Sequence, residues 1–286
     1  MGKYFNQMKQ DLEIRGYSKY TVTTYLDHMK NFIKFHMKNP SLIELEDITS
    51  YQVYLVYSKK VSYSTFNLAV CSIKYFYRNI ITKDWNIDQI PYQRKIKSLP
   101  DVLSRQEVVK IIDAAANLKN KAIIQTLYAT GVRLSELVNL KLTDIDSKRM
   151  VVRIDQGKGK KDRYVMLSKT LLSTLREYWK QEQPKPRTFL FPGVNPNSHF
   201  SRRSVQRIVK ETTLRAHIDK LVTPHTLRHC FATHLLEDGA NIRVIQKFLG
   251  HKGLRATEIY THVAENYINQ TTSPLDSLNH ENNKGR

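Results

Sequence analysis

Cysteine is scarce in this sequence, with two residues among 286. Cys71 and Cys230 both lie in apolar helical patterns, which predicts buried thiols in a reducing compartment. Long apolar stretches are also missing, because no run approaches the ~18 residues that a membrane span needs. The first residues, MGKYFN, lack the apolar core of a signal peptide, and Asn6 does not fit the myristoylation pattern. We therefore expect a soluble, cytoplasmic protein.

Acidic residues are few compared with basic ones, 26 against 46, which leaves a net charge of +20 and a pI near 9.8. The basic excess is present in both halves of the chain. A single basic patch is usually a solvated face, whereas an excess spread over two domains favours binding of a polyanion. The length of 286 residues is sufficient for two domains.

Apolar spacing and proline positions divide the chain into four parts. Residues 1–90 are predicted to be helical and basic, with one helix beginning near Asp47. Residues 91–101 are predicted to be an extended linker, residues 102–270 a second domain, and residues 271–286 a tail. Taken alone, the first part is equally typical of any small helical domain. Three linker side chains are candidates for phosphate contacts: Arg94, Lys95 and Lys97.

The stretch 224–262 holds five of the ten histidines. A helix is predicted from Pro224, and on it His225 and Arg228 are three residues apart, so they share one face. A second apolar helix ends just before His251. A short third helix is predicted from about Thr257, and it carries Tyr260. Imidazole, guanidinium and phenol groups are thus placed at the edges of three consecutive helices.

Arginine and histidine are donors suited to phosphate oxygens. Tyrosine is a nucleophile with a free pKa near ~10, so it needs cationic neighbours. The set therefore predicts phosphoryl transfer from a diester onto a tyrosine. For any single histidine, an ordinary buried position in a helical core is the alternative. A metal site is disfavoured, because His225 and His229 are four apart but lack the intervening Glu of the zincin motif.

Arg133 follows a Gly-marked junction between two apolar helices, and Glu136, three residues later, could hold its guanidinium in place. An ordinary surface ion pair is the alternative interpretation. A β-hairpin is predicted next, with strands at 150–155 and 163–167 joined by the turn GKGKKD. Lys158 in this turn could deliver an ammonium group to a scissile phosphate, unless the turn is an ordinary basic hairpin tip. The turn lacks the Ser/Thr and the spacing of a phosphate-binding Walker A loop.

Further basic side chains are candidates for contacts with DNA phosphates. Some lie on the hairpin, and others on the basic amphipathic helix SRRSVQRIVK at 201–210. They are Lys160, Lys161, Arg163, Arg202, Arg203, Arg207 and Lys210.

In order and in local context, these residues resemble the motif set of the tyrosine recombinases, in particular the bacterial Xer and integron types. One such motif would be weak, but six in the right order are highly specific. The likeness covers nearly the whole chain, since residues 1–90 resemble the helical core-binding domain of that family. The matching residues are Arg133 in ATGVRLSEL, Lys158 in GKGKKDR, His225 and Arg228 in HTLRH, His251 in LGH and Tyr260 in IYTH.

The resemblance implies a mainly α fold with a small antiparallel β-sheet. A helical SAM-like core-binding domain and a mixed α/β catalytic domain would form a C-shaped clamp around duplex DNA. It also implies a site-specific recombinase of the nucleoid that needs neither metal nor ATP. Such an enzyme would work as a homotetramer on two DNA sites, with a possible accessory protein or partner recombinase, in integration, excision or dimer resolution. A type IB topoisomerase and a non-catalytic DNA-binding regulator are the competing functions.

The resemblance implies a role for each matching residue. Tyr260 attacks the scissile phosphate and holds a 3′-phosphotyrosine, while Arg133 and Arg228 bind the non-bridging oxygens. His225 and His251 assist proton transfer and neutralise the transition state. Lys158 protonates the 5′-oxygen leaving group. Fixed cations around an oxyanion lower the barrier to such a reaction.

Overall fold

The computed structural model describes residues 2–83, 85–94, 101–155, 162–195, 197–251 and 253–262. The chain forms two compact units, Met1–Lys97 and Ser98–Arg286. The described residues are mostly helical and include a three-stranded antiparallel sheet, which confirms the expected fold class. Within these ranges, no helix is both long and apolar enough to cross a membrane. The tail at 271–286 and most of the predicted linker lie outside the described residues.

The first unit is built from four α-helices. They are α1 (Gly2–Ile14), α2 (Lys19–His36), α3 (Leu45–Val53) and α4 (Tyr63–Phe76). The side chains of Ser18 and Ser62 cap α2 and α4 by accepting from backbone N–H groups three residues later. The expected start of the third helix at Asp47 is wrong by two residues. The Asp47 carboxylate instead accepts from the backbone N–H of Glu44, so the helix begins at Leu45 behind a capping box.

Aromatic side chains form much of the core of the first unit. Phe32 is fully buried and packs edge-on against Tyr51, with ring centroids 5.1 Å apart, and against Tyr77. Edge-to-face pairs of this kind add to the free energy gained from burial. The prediction of a buried thiol is wrong for Cys71, which is half-buried beside the Tyr92 hydroxyl. The corresponding prediction is confirmed for the other cysteine.

The second unit contains the remaining helices and the sheet. The helices are α5 (Arg105–Asp113), α6 (Leu118–Thr130), α7 (Leu134–Asn139), α8 (Lys169–Gln181), α9 (Arg202–Arg215), α10 (Pro224–Glu237) and α11 (Ile242–Leu249). The strands are β1 (Ile145–Asp146), β2 (Val151–Ile154) and β3 (Arg163–Met166), in that order across the sheet. Antiparallel pairing of Val152 with Val165 confirms the predicted hairpin, and both side chains enter the core. Its turn, 156–161, lies outside the described residues.

Helices α6 and α10 pack together in the middle of the second unit and are buried on most sides. The close approach depends on Gly131, which ends α6 in the left-handed region at φ 59°. A Cβ at this position would lie 2.3 Å from the Phe231 ring of α10, so glycine is required both by φ and by space. After α11 the chain continues in two 3₁₀ turns, Leu254–Ala256 and Glu258–His262.

Candidate active site

Three arginines meet at the C-terminal end of α11. A helix leaves its last backbone carbonyls without an intrahelical partner, and that end carries partial negative charge. Gly250 ends α11 in the left-handed conformation, at φ 62°. Three successive carbonyls there accept hydrogen bonds from different guanidinium groups. The pairs are Arg163 Nε to Phe248 O at 2.6 Å, Arg228 Nη2 to Leu249 O at 2.6 Å, and Arg133 Nη2 to Gly250 O at 3.2 Å.

Glu136 joins two of these arginines. Its Oε1 accepts from Arg133 Nη1 at 2.9 Å, so the contact predicted between these residues is present. Both carboxylate oxygens also accept from Arg163, at 2.9 and 2.7 Å. Burial alone would raise the pKa of Glu136, but the hydrogen bonds and charge of Arg163, with those of Arg133, outweigh it and lower the pKa to about 2. The carboxylate is therefore ionised at neutral pH.

The expected DNA contact from Arg163 is corrected by this arrangement. Its side chain is 7% exposed, and its donors are used by Glu136 and by the Phe248 carbonyl. A guanidinium held in this way has a structural role, because it fixes the end of α11 relative to β3. The sequence places Arg163 next to a basic turn but does not reveal these acceptors.

Arg228 is the most deeply buried cation of the site, with 3% of its surface exposed. It lies on α10 and donates through Nη1 to the carbonyl of Gly131 and through Nη2 to that of Leu249. Its Nη2 is also 3.2 Å from Nε2 of His251. Burial, together with the charge of Arg133, lowers the pKa of Arg228 to about 10, so the group is still a cation at neutral pH.

His251 is held by both of its ring nitrogens. A guanidinium can only donate, so Nε2 of His251 accepts from Arg228. The ring proton therefore lies on Nδ1, which donates to Thr257 Oγ1 at 2.9 Å. Burial and the nearby charge of Arg228 lower the pKa of His251 to about 4. The imidazole is consequently neutral at pH 7.

Tyr260 lies in the turn Glu258–His262 and is 1% exposed. Its hydroxyl oxygen is 3.0 Å from Nδ1 of His229 on α10. Burial raises the pKa of Tyr260, and the charges of Arg228 and Arg133 act in the opposite direction. The sequence interpretation missed this contact, since it considered His229 only as a possible metal ligand. The available signal was the position of His229, which directly follows Arg228 in the HTLRH motif.

His225 is exposed one helical turn before His229, and the two ring centroids are 6.5 Å apart. Partial burial and the charges of Arg228 and Arg133 lower the pKa of His225. The structure thus places five of the six predicted catalytic residues in one region, where each contacts another member of the set or shares a neighbouring residue with it. The sixth, Lys158, lies outside the described residues.

Apart from Arg163, the predicted DNA-binding side chains fall into three groups. Arg94 is exposed at the end of the described part of the first unit. Lys95, Lys97, Lys160 and Lys161 lie outside the described residues. Four basic side chains of α9 are exposed, while Val205 and Val209 on the same helix are buried: Arg202, Arg203, Arg207 and Lys210. The basic face of α9 is therefore exposed in the part of the chain that the structure describes.

Replacing Glu136 by Gln should destabilise the second unit by about 3 kcal/mol at pH 7, because two guanidinium groups lose their buried counter-charge. Since the folded pKa is lowered to about 2, the stability from this carboxylate is present above its unfolded pKa and is lost as pH falls towards 2. Urea unfolding measures this for wild type and Glu136→Gln. The difference between their free energies of unfolding should shrink by more than half between pH 7 and about pH 3.

The control for this measurement is Glu211→Gln, which removes an exposed carboxylate next to Arg207 on α9. Such surface pairs contribute little, so we expect a change within about 0.5 kcal/mol at every pH. A difference between wild type and Glu136→Gln that stays constant with pH would contradict the assigned pKa.

Comparison with protein families gives two matches that together span most of the chain. The profile of the phage integrase family matches residues 101–267. The profile of the phage integrase N-terminal SAM-like domain matches residues 4–87. The first match contains all the residues of the candidate site.

Two relatives are similar to this chain over most of their length. A putative integrase/recombinase, y4qK, of Sinorhizobium fredii is 42% identical over 273 residues, covering 95% of this chain and 88% of the relative. The tyrosine recombinase XerA of Pyrococcus horikoshii is 34% identical over 262 residues, covering 91% and 88%.

Solved structures show the same architecture. A crystal structure of XerA recombinase aligns with a TM-score of 0.55 at 30% identity, covering 94% of this chain and 96% of that one. A lambda integrase dimer bound to a core site aligns with a TM-score of 0.73 at 18% identity, covering 90% and 96%. The likeness to lambda integrase concerns the fold.

Proposed function

Because this chain belongs to the phage integrase family and is a tyrosine-type site-specific recombinase, we propose that it uses Tyr260 to cleave and rejoin duplex DNA. The observation that carries the assignment of the site is the convergence of Arg133, Arg228 and His251 at the end of α11, with Tyr260 in the turn that follows. The relatives do not favour the topoisomerase or regulator functions.

The reaction is a phosphoryl transfer that conserves the number of phosphoester bonds. The Tyr260 oxygen bonds to the scissile phosphorus, the bond to the 5′-oxygen breaks, and the leaving oxygen takes up a proton. Arg133 and Arg228 bind the non-bridging oxygens, where negative charge develops. His251, neutral at pH 7, orients Arg228 through its Nε2. His225, exposed at the start of α10, contacts the phosphate, and Lys158 supplies the proton to the leaving oxygen.

Attack requires a local movement, because the Tyr260 side chain is 1% exposed in this structure. We expect the turn Glu258–His262 to shift when a phosphate enters the site, so that the hydroxyl reaches the phosphorus. A near-attack geometry needs the two reacting atoms about 3–3.5 Å apart. The arginines are already in place, since each is held by backbone carbonyls.

The partner is double-stranded DNA, as in the relatives bound to recombination sites. The exposed basic face of α9 and Arg94 supply contacts that hold DNA phosphates but carry no sequence information. The sequence divides the chain into residues 1–90, 91–101, 102–270 and 271–286. In this division, parts 1–90 and 102–270 both bind DNA, and part 102–270 carries out the chemistry. The active assembly is a homotetramer on two sites of the nucleoid DNA. An accessory protein and a second recombinase are further candidate partners.

The function is tested with DNA that the protein itself selects. Duplexes retained by the full chain from a random-sequence library are cloned as two copies on one plasmid, and the products are sequenced after incubation. We expect deletion or inversion between the two copies, with a protein–DNA adduct in detergent-quenched samples. Relaxation of supercoils without exchanged flanks would indicate a topoisomerase. Binding without any adduct would indicate a regulator.

A further inference from the structure

The nucleophile candidate has a partner that none of the six motif residues provides. On α10, His229 places its Nδ1 3.0 Å from the Tyr260 oxygen, with the ring centroids 5.7 Å apart. Among the described residues, no other histidine nitrogen forms a hydrogen bond with that oxygen. His251 has both nitrogens engaged, by Arg228 and Thr257, and His225 is exposed to solvent. His229 thus touches the atom that would attack phosphorus.

The charge state of His229 fits it to accept a proton. Burial, then the neighbouring His225 and Arg228, lower its pKa, so the ring is neutral at pH 7. A neutral imidazole has one acceptor nitrogen, and the buried Tyr260 hydroxyl needs an acceptor. The hydroxyl therefore donates to Nδ1, and the ring proton of His229 lies on Nε2. The titratable groups around it are His225, Arg228, His251 and Tyr260.

A second tyrosine–histidine pair, Tyr128 of α6 with His234 of α10, shows how such a contact looks when its role is structural. Tyr128 donates to Nδ1 of His234 at 2.9 Å, while Nε2 of His234 donates to the Leu103 carbonyl at 3.0 Å. His234 is 5% exposed, with both nitrogens tied to the fold. His229, by contrast, is half-buried and lies at the edge of the arginine cluster.

We propose that His229 is a catalytic residue, the general base that receives the hydroxyl proton of Tyr260. The inference rests on the proposed function of Tyr260 as nucleophile. In the cleavage step the O–H bond breaks and its proton moves to Nδ1 of His229. The phenolate oxygen forms the bond to phosphorus, and the bond from phosphorus to the 5′-oxygen breaks. In the rejoining step the 5′-hydroxyl gives its proton to Lys158 as its oxygen bonds to phosphorus. The bond from phosphorus to the tyrosine oxygen breaks, and His229 returns the proton to that oxygen.

The test compares two substitutions at this position in the full-length chain. His229→Asn places an amide oxygen near the position of Nδ1, so it keeps an acceptor for the hydroxyl but cannot take up a proton. His229→Ala removes both functions. The substrate is a nicked suicide form of the library-selected duplex, and the measured quantity is the single-turnover rate of covalent adduct formation between pH 6 and about pH 10, near the free pKa of tyrosine.

Both variants should bind the duplex as wild type does and form the adduct roughly 10²–10⁴-fold more slowly at pH 7, the usual contribution of a general base. The deficit should narrow as pH rises, because solvent hydroxide takes the proton instead. The matched control is His217→Asn, an exposed histidine at φ 53°, a conformation that asparagine tolerates. It should leave the rate unchanged.

Several outcomes would overturn the proposal. Adduct formation at the wild-type rate in His229→Asn would show that the hydrogen bond only positions Tyr260. A faster rate of adduct formation in His229→Ala would show that the hydrogen bond restrains Tyr260. A deficit independent of pH would indicate a structural role. Tyr260→Phe separates the two hypotheses. An adduct in that variant refutes Tyr260 as the nucleophile. If Tyr260→Phe forms no adduct but both His229 variants react at the wild-type rate, only the role of His229 as general base is refuted.

A second measurement does not depend on variants that fold. Nitrogen-15 spectra of histidine-labelled wild type report which ring nitrogen carries the proton. We expect an unprotonated Nδ1 for His229 in the wild-type protein at pH 7. A protonated Nδ1 in wild type would mean that the tyrosine oxygen accepts, and it would overturn the proposal directly.

Discussion

Tyr260→Phe should bind DNA with unchanged affinity and form no covalent adduct. The substitution removes one oxygen, the atom that bonds to phosphorus, and leaves a ring that is 1% exposed in the same apolar surroundings. The lost hydrogen bond is the one to His229, which is half-buried and can be solvated instead. The free energy of unfolding should therefore change by no more than about 1 kcal/mol. The amount of detergent-resistant adduct measures the loss of chemistry, and the midpoint of urea unfolding measures the change in stability.

The matched control is Tyr128→Phe, which removes a tyrosine hydroxyl bound to His234, another histidine of α10. This variant should lose a similar amount of stability and still form the adduct. Mass spectrometry of a trapped, nuclease-trimmed wild-type complex identifies the modified residue. A nucleotide on another side chain, such as Tyr267, which lies outside the described residues, would refute the assignment of Tyr260.

Arg133→Lys should reduce the rate of adduct formation by about 10²–10³-fold although the positive charge is kept. Arg133 spans two acceptors with separate nitrogens, the Glu136 carboxylate and the Gly250 carbonyl. Lysine has a single ammonium group, which cannot reproduce the planar fork that also faces a phosphate. Since the side chain is 30% exposed, we expect unfolding to change by at most about 1 kcal/mol.

Arg105→Lys controls for the general effect of this exchange. Arg105 also joins a carboxylate and a carbonyl, donating to Asp238 at 2.7 Å and to His234 O at 3.0 Å, but it lies on α5. Its variant should form the adduct at the wild-type rate. Equal rates for wild type and Arg133→Lys would contradict phosphate binding by Arg133 and leave it as a structural ion pair with Glu136.

Local features of this fold were predictable because their causes are local. Ser104 and Glu107 form a capping box at the start of α5, and both residues of this motif lie within one turn. Gly131 and Gly250 end their helices in left-handed conformations that glycine adopts without strain. The alternation of apolar residues set the register of the β2–β3 hairpin. In each case the stabilising contacts lie within a few residues of one another.

The features that the sequence did not predict depend on contacts between residues far apart along the chain. Arg163 and Arg203 are indistinguishable as basic side chains in the sequence, but one meets Glu136 and Phe248 while the other is exposed. The acceptors of Arg163 lie 27 and 85 residues away along the chain. The contact between His229 and Tyr260 joins residues 31 apart and depends on how two turns follow α11. Periodicity carries no information about such encounters.

The arginine cluster at the end of α11 brings like charges close together. Three guanidinium groups, those of Arg133, Arg163 and Arg228, are drawn together there, while Glu136 supplies the carboxylate bonded to two of them. Like charges in a poorly solvated region repel, so the cluster raises the free energy of the folded state. A phosphate diester among them would relieve that repulsion. Folding thus stores an unfavourable interaction that DNA binding releases, and in this domain stability is traded for affinity towards its substrate.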